Sequence, residues 1–365
     1  MGYLLITPTL PRPPLRPEVA IAMHRECSPL SRPGRRLYIH APREAEPPRT
    51  GWLTSQPARA LAWTAGLLLG WAAVRHGFRW ALVRFFRVPR VHSGATPAAM
   101  GLQAEDVTIS GSEGRLRAWF IPAPAAGPQP VALVLHGWSA SASSMLPVAS
   151  PLHAAGFHVL LLDARGHGRS DGGDVSSMPG FADDVERALL WLRKHPRVEP
   201  DHIVLVGHSV GAGACLLVAA RDPRIAAVVS ISSMADAAAY MGQLMRRHGV
   251  PAIAISPVLR EIERTIGMRF PAFAPIATIA HLRVPVMLIH GASDSVIPLT
   301  DAQALHRTAP QGTDLLVVPD ADHGDIDRFL AVAPTVTDFL RRAIQGEEPA
   351  APPVSAHRPS PQRGE

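Results

Sequence analysis

The chain has no asparagine in 365 residues. It therefore carries no Asn-x-Ser/Thr acceptor for N-glycosylation. Lysine is nearly missing as well: Lys194 stands alone against 35 arginines, a bias we attribute to genome composition rather than function. The two cysteines, Cys27 and Cys215, are too few for a disulfide framework, and neither has metal-ligand spacing. Cys215 lies six residues after Ser209 in an apolar stretch and reads as a small buried hydrophobe. Aromatics make up only 5%, and no basic stripe interleaves with them beyond residue 100, which argues against nucleic acid as a partner. Acidic groups are scarce at one end only. Residues 1–100 hold 14 Arg and 4 acidic groups, a net of +10, whereas residues 101–365 hold 22 basic and 26 acidic groups, a net of −4. The basic excess of the chain therefore belongs to its N-terminal segment.

What is present divides the chain into four parts. Residues 1–58 are rich in Pro and Arg, with ten prolines in the first 50, and are expected to be disordered because they cannot bury a core. Met23 offers a second start site. Residues 59–83 are read as a membrane-anchor helix. Ala60–Val74 is uncharged for 15 residues, and Trp63, Trp71 and Trp80 suit an interfacial belt. A span usually needs roughly 20 residues, so the segment either crosses with Arg75 and Arg79 snorkelling or lies on the surface. Arg75, Arg79, Arg84, Arg87 and Arg90 follow without acids, which would keep the following domain in the cytoplasm. The competing readings are a helix packed on the domain, in a soluble cytoplasmic protein, and a signal peptide, for which no good cleavage site is found.

Residues 102–345 read as a single α/β domain, and 347–365 as a disordered Pro-rich tail. Val107–Ile109 and Leu116–Ile121 flank a Gly111–Gly114 turn, which predicts a hairpin. Short apolar runs follow at Val131–Leu135, His158–Leu162, Ile203–Val206, Ile225–Ile231, Val286–Ile289 and Leu315–Val318. Helical patterns separate most of them, at Phe181–Arg193, Val210–Ala220, Thr300–Arg307 and Ile326–Ile344. This alternation predicts a mostly parallel sheet covered by helices on both faces. Residues 234–281 are too long for a simple crossover and read as a small helical cap insertion.

The chemistry is written in three places. Gly207-His208-Ser209-Val210-Gly211 follows an apolar strand and precedes a small-residue helix, so a serine sits at the apex of a strand–turn–helix elbow. A serine hydroxyl needs a base to take its proton, and a histidine base needs a carboxylate to orient it. Asp294 falls in the loop after the strand Val286–Ile289, and His323 in the loop after Leu315–Val318. Ser209, Asp294 and His323 are thus candidate nucleophile, orienting acid and base, in the chain order that such an elbow uses. Asp236, Asp301, Asp320 and Asp322 compete for the acid role. The oxyanion needs two backbone N–H donors. Val210 follows the nucleophile, and Trp138 lies in the loop His136-Gly137-Trp138 after the strand Val131–Leu135. Tyr240, Met241, Leu244 and Met245 read equally as acyl-pocket lining or as core of the insertion. His208 points the wrong way to be the base, and His136, His167 and His290 read as loop-bracing groups.

The motifs His136-Gly137-Trp138, Asp163-Ala164-Arg165-Gly166-His167-Gly168-Arg169-Ser170, the serine elbow, His290-Gly291-x-x-Asp294 and Asp322-His323-Gly324 together resemble the α/β-hydrolase superfamily. The style is similar to its serine-aminopeptidase-like and lysophospholipase-like branch. The resemblance implies the α/β-hydrolase fold, the roles of the three residues, and cleavage of ester-like bonds by a carboxylesterase or lipase-like enzyme, without cofactor or metal. A membrane address would favour acyl-lipid esters. A peptidase or amidase on the same residues, and a silent binding protein that keeps the fold, are the rival expectations.

Overall fold

Strands rich in Val, Leu and Ile form where apolar side chains can be buried on both faces of a sheet. Residues 56–88, 90, 94–173 and 175–347 are described by a computed structural model. The expected disordered N-terminus up to residue 55 and the tail from 348 lie outside the described residues, as does Cys27. Eight strands form one sheet: β1 (Glu105–Ser110), β2 (Arg115–Ile121), β3 (Gln129–Leu135), β4 (His158–Asp163), β5 (Val198–His208), β6 (Ile225–Ile231), β7 (Val286–Gly291) and β8 (Asp314–Val318). Their order is β1-β2-β4-β3-β5-β6-β7-β8. β1 and β2 make the expected hairpin, β2 runs antiparallel to β4, and all later pairings are parallel.

Side chains alternate across the strands, and both faces are filled. On one face Leu133, Leu135, Leu160, Leu205 and Val228 pack under α3 (Met178–Leu192), α4 (Val210–Arg221) and α8 (Leu299–Thr308). On the other, Val134, Leu161, Val206, Val229 and Met287 pack under α2 (Leu146–Ala154) and α9 (Ala333–Gln345). The stretch expected as one helix from 326 to 344 is a 3-10 turn, Ile326–Val332, followed by α9, with Pro334 in its first turn. Residues 234–281 carry α5 (Ala237–Arg247), α6 (Ala252–Ile266) and α7 (Pro275–Ile279).

The anchor expectation needs correction. Residues 59–83 belong to a longer helix, α1 (Gln56–Phe86). Among the described residues no helix is long and apolar enough to cross a membrane. Arg75, His76 and Arg79 interrupt the apolar run, and charged groups at mid-membrane depth are costly. The membrane address loses the span it rested on. The last turns of α1 instead enter the domain, where Leu82 and Phe86 are buried in the core. The chain divides into two compact units, Met1–Trp63 and Thr64–Glu365. Of the first only residues 56–63 are described, and Leu61 and Trp63 in it are exposed.

Candidate active site

The elbow is a single-residue turn between two rigid elements. β5 ends at His208 and α4 begins at Val210, so Ser209 alone reverses the chain, with φ 56° and ψ −121°. A non-glycine residue held there costs roughly 1–3 kcal/mol, offset by the structure that fixes it. The Ser209 N–H donates to the Ile231 carbonyl at 2.8 Å. Two flanking glycines are sterically required. A Cβ on Gly207 would lie 2.5 Å from the Gly211 carbonyl oxygen, and one on Gly211 would lie 2.4 Å from that of His136. The turn therefore packs backbone to backbone, and the Ser209 hydroxyl projects from its apex.

The loops after β7 and β8 bring the partners. Ser209 Oγ lies 3.0 Å from His323 Nε2, and His323 Nδ1 lies 2.8 Å from Asp294 Oδ2. A carboxylate can only accept, so Nδ1 carries the proton and Nε2 is left free to accept from Ser209. The Asp294 side chain has no solvent exposure. Burial alone would raise its carboxyl, but the bond to His323 and the amides of Ile297 and Val296 hold it below the ordinary value. Asp322 fastens one loop to the other. It accepts from the Ser295 amide at 2.8 Å and from the His323 amide at 2.7 Å.

The other candidates take different places. Asp236 caps α5, accepting from the amides of Ala238 and Ala239. Asp301 accepts from the Ala235 amide at 2.8 Å. Asp320 sits in a left-handed turn with φ 56°. His208 donates from Nε2 to the His323 carbonyl at 2.8 Å, which fixes the loop of the neighbouring histidine. Burial, with His323 nearby, pushes the His208 ring down to about 4, so it stays neutral. Burial likewise pushes His136 down to about 3; its Nδ1 donates to the Gly137 carbonyl and its Nε2 accepts from the Ala164 amide. His290 donates to the Ile297 carbonyl at 2.9 Å. Arg165 bridges Asp184, Asp183 and Glu113, an ion cluster that braces the loop after β4. Among the described residues no group of three His, Cys, Asp or Glu could hold a metal ion.

Val210 opens α4, so its N–H has no carbonyl one turn earlier in the helix to bond. Trp138 follows Gly137, whose ideal Cβ position is 3.0 Å from Ser209 Cβ, so the β3 loop lies against the elbow. Both expected oxyanion residues thus border Ser209. All of them face a cavity of about 410 Å3 lined mostly by apolar side chains, with Ser209 and His323 among its walls. Tyr240, Met241 and Leu244 of α5 line it, while Met245 packs against the core. Met178 and Phe86 also line it, and sequence reasoning assigned neither to the site. Met178 precedes the helix pattern that the sequence shows. Phe86 lies just beyond the segment read as an anchor, and its only signal is the apolar pair Phe85-Phe86 before Pro89.

Residues 126–275 match the family described as Serine aminopeptidase, S33. The uncharacterised protein YfhR of Escherichia coli K12 is 31% identical over 233 residues, covering 62% of this chain and 75% of YfhR. An esterase from Pyrococcus furiosus superposes with a TM-score of 0.57 at 22% identity, over 71% of this chain and 97% of that one. Est1E from Butyrivibrio proteoclasticus, solved with ferulic acid bound, gives 0.54 at 19% identity, over 66% and 99%. The fold expected from the sequence is thereby shown.

Proposed function

This chain belongs to the α/β-hydrolase superfamily, and from that premise we propose that it is a serine hydrolase of carboxylic esters. The observation that carries the reading is the unbroken series Ser209 Oγ, His323 and Asp294 at 3.0 and 2.8 Å. Ser209 Oγ attacks the ester carbonyl carbon as His323 Nε2 takes its proton. The carbonyl electrons move to oxygen, where the Val210 and Trp138 amides stabilise the charge. The C–O bond to the alcohol breaks, and His323 returns its proton to the leaving oxygen. Water, deprotonated by His323, then attacks the acyl-enzyme, and Ser209 recovers its proton as the acid leaves. Asp294 holds the imidazole tautomer and stabilises the imidazolium.

The name of the matched family favours a second reading, cleavage of aminoacyl amides. Recognition of a free α-amino group calls for an anionic partner. No Asp or Glu occurs among the described residues that line the cavity, which supports esters over aminopeptides. A fluorophosphonate probe tests the proposal. It labels the wild type and leaves Ser209→Ala unlabelled; an unlabelled folded wild type sinks the enzyme reading and leaves a silent binding protein. Faster turnover of aminoacyl anilides than of simple esters would reverse the choice of substrate.

A further inference from the structure

One lining residue of the cavity comes from α1. Phe86, the final residue of α1, is 5% exposed and lines the same cavity as Ser209 and His323. Its ring meets Trp138 edge-on, with centroids 5.8 Å apart and planes at 69°. Its carbonyl accepts from the Ser176 amide at 3.1 Å. Ser176 lies two residues before Met178, another lining side chain, so the end of α1 is fastened to a second segment that lines the cavity. Leu82, one turn earlier, is buried in the same core. The position of Phe86 is therefore set by both covalent and tertiary ties rather than by a loose terminus.

Apart from the reacting groups, the described lining is apolar or weakly polar, with Met178, Met241, Ile262 and Phe273 contributing from four separate segments. At about 30 Å3 for each water-sized group, 410 Å3 holds about fourteen of them, and the reacting ester group takes up a few of these places. The leaving alcohol takes its proton from His323 and departs on that side. Phe86 reaches the cavity beside Trp138, the expected second oxyanion residue, and an acyl part directed away from the departing alcohol would meet it there.

Resting on the serine hydrolase reading, we infer that this cavity binds an unbranched acyl chain of about eight to twelve carbons, and that Phe86 sets its length. The helix that resembles an anchor in sequence is thus a specificity element. A bulkier ring at position 86 shortens the slot, and a smaller side chain extends it.

The test compares wild type, Phe86→Trp and Phe86→Ala on p-nitrophenyl esters from acetyl to palmitoyl, and on acetate esters of lengthening alcohols. For the wild type, kcat/KM rises about threefold to fourfold per methylene and peaks near ten carbons in the acyl series. Phe86→Trp moves the peak at least about two carbons shorter, and Phe86→Ala at least about two longer. Phe86→Leu supplies the longward shift if Phe86→Ala fails to take the fluorophosphonate label. A peak that stays in place in labelled variants overturns the role of Phe86. Length dependence that follows the alcohol overturns the acyl assignment. Both results leave the hydrolase reading standing, whereas wild type that neither labels nor turns over any ester removes both.

Discussion

The floor and the roof of the cavity are built on opposite terms. The floor is the C-terminal edge of the sheet: Ser209, Asp294 and His323 sit one, three and five residues past the ends of β5, β7 and β8, and hydrogen bonds clamp each one. The roof is helical and apolar, drawn from α1, α5 and α6, and its lining side chains meet the cavity through apolar packing, with the Ser176 amide tying the end of α1. Hydrogen bonds fix position to a few tenths of an ångström, whereas apolar packing fixes volume and tolerates exchange of similar shapes. Changes in the floor should therefore appear in kcat, and changes in the roof in which substrate is chosen.

The largest effect expected is from Ser209→Ala, which should lower kcat by at least about 10^4-fold while thermal unfolding stays cooperative. Retained turnover would mean that the floor does not hold the nucleophile. Asp294→Asn should cost about 10^3- to 10^4-fold in kcat with little change in KM, because the amide permits the wrong imidazole tautomer. The same change at Asp301, which accepts from the Ala235 amide, should cost far less; equal losses would erase the distinction between the two acids. Gly211→Ala tests the backbone of the floor. With no room beside the His136 carbonyl, it should destabilise by about 2–4 kcal/mol, read from the urea midpoint.

A pH series sharpens the contrast further, since the buried neutral imidazoles belong to the floor. His136 and His208 are pushed down to about 3 and about 4 by burial, below the ordinary value of about 6.5. The unfolded chain thus takes up protons on these rings before the folded one does. Their contribution is complete above about pH 6.5 and falls away as the pH drops toward 4, by a few kcal/mol in all. A urea midpoint that stays flat from pH 7 to 4 would show that these rings are not buried neutral. The smallest effect is on the roof: Met241→Leu should change kcat/KM by less than about tenfold and act mainly through KM. A larger loss in kcat would mean that the roof positions the reacting groups.

Two helices with long apolar runs show how far sequence reading goes. α4 and the first half of α1 look alike as composition. α4 is buried from Val210 to Ala219 because Gly211, Ala212, Gly213 and Ala214 let it approach its neighbours; the ideal Cβ of Gly213 lies 2.4 Å from the tip of Met178. α1 carries Leu67, Leu68, Leu69, Trp71 and Val74, all exposed. These side chains are apolar around the whole helix, so no single stripe announces which turn enters the core. Phe86 does so because of where the β3 loop and the Ser176 segment lie, and neither is adjacent to it in sequence.

The residues themselves determined the alternation of strands and helices, the serine elbow with its obligatory glycines, and the order of serine, acid and histidine after three of the later strands. Those features are local, because a short apolar run, a one-residue turn and a loop after a strand are each written in a few consecutive positions. Tertiary structure decided which aspartate faces His323, where the last turn of α1 ends, and how large the cavity is. Each of these depends on distances between segments far apart in the chain, and only the folded packing sets them.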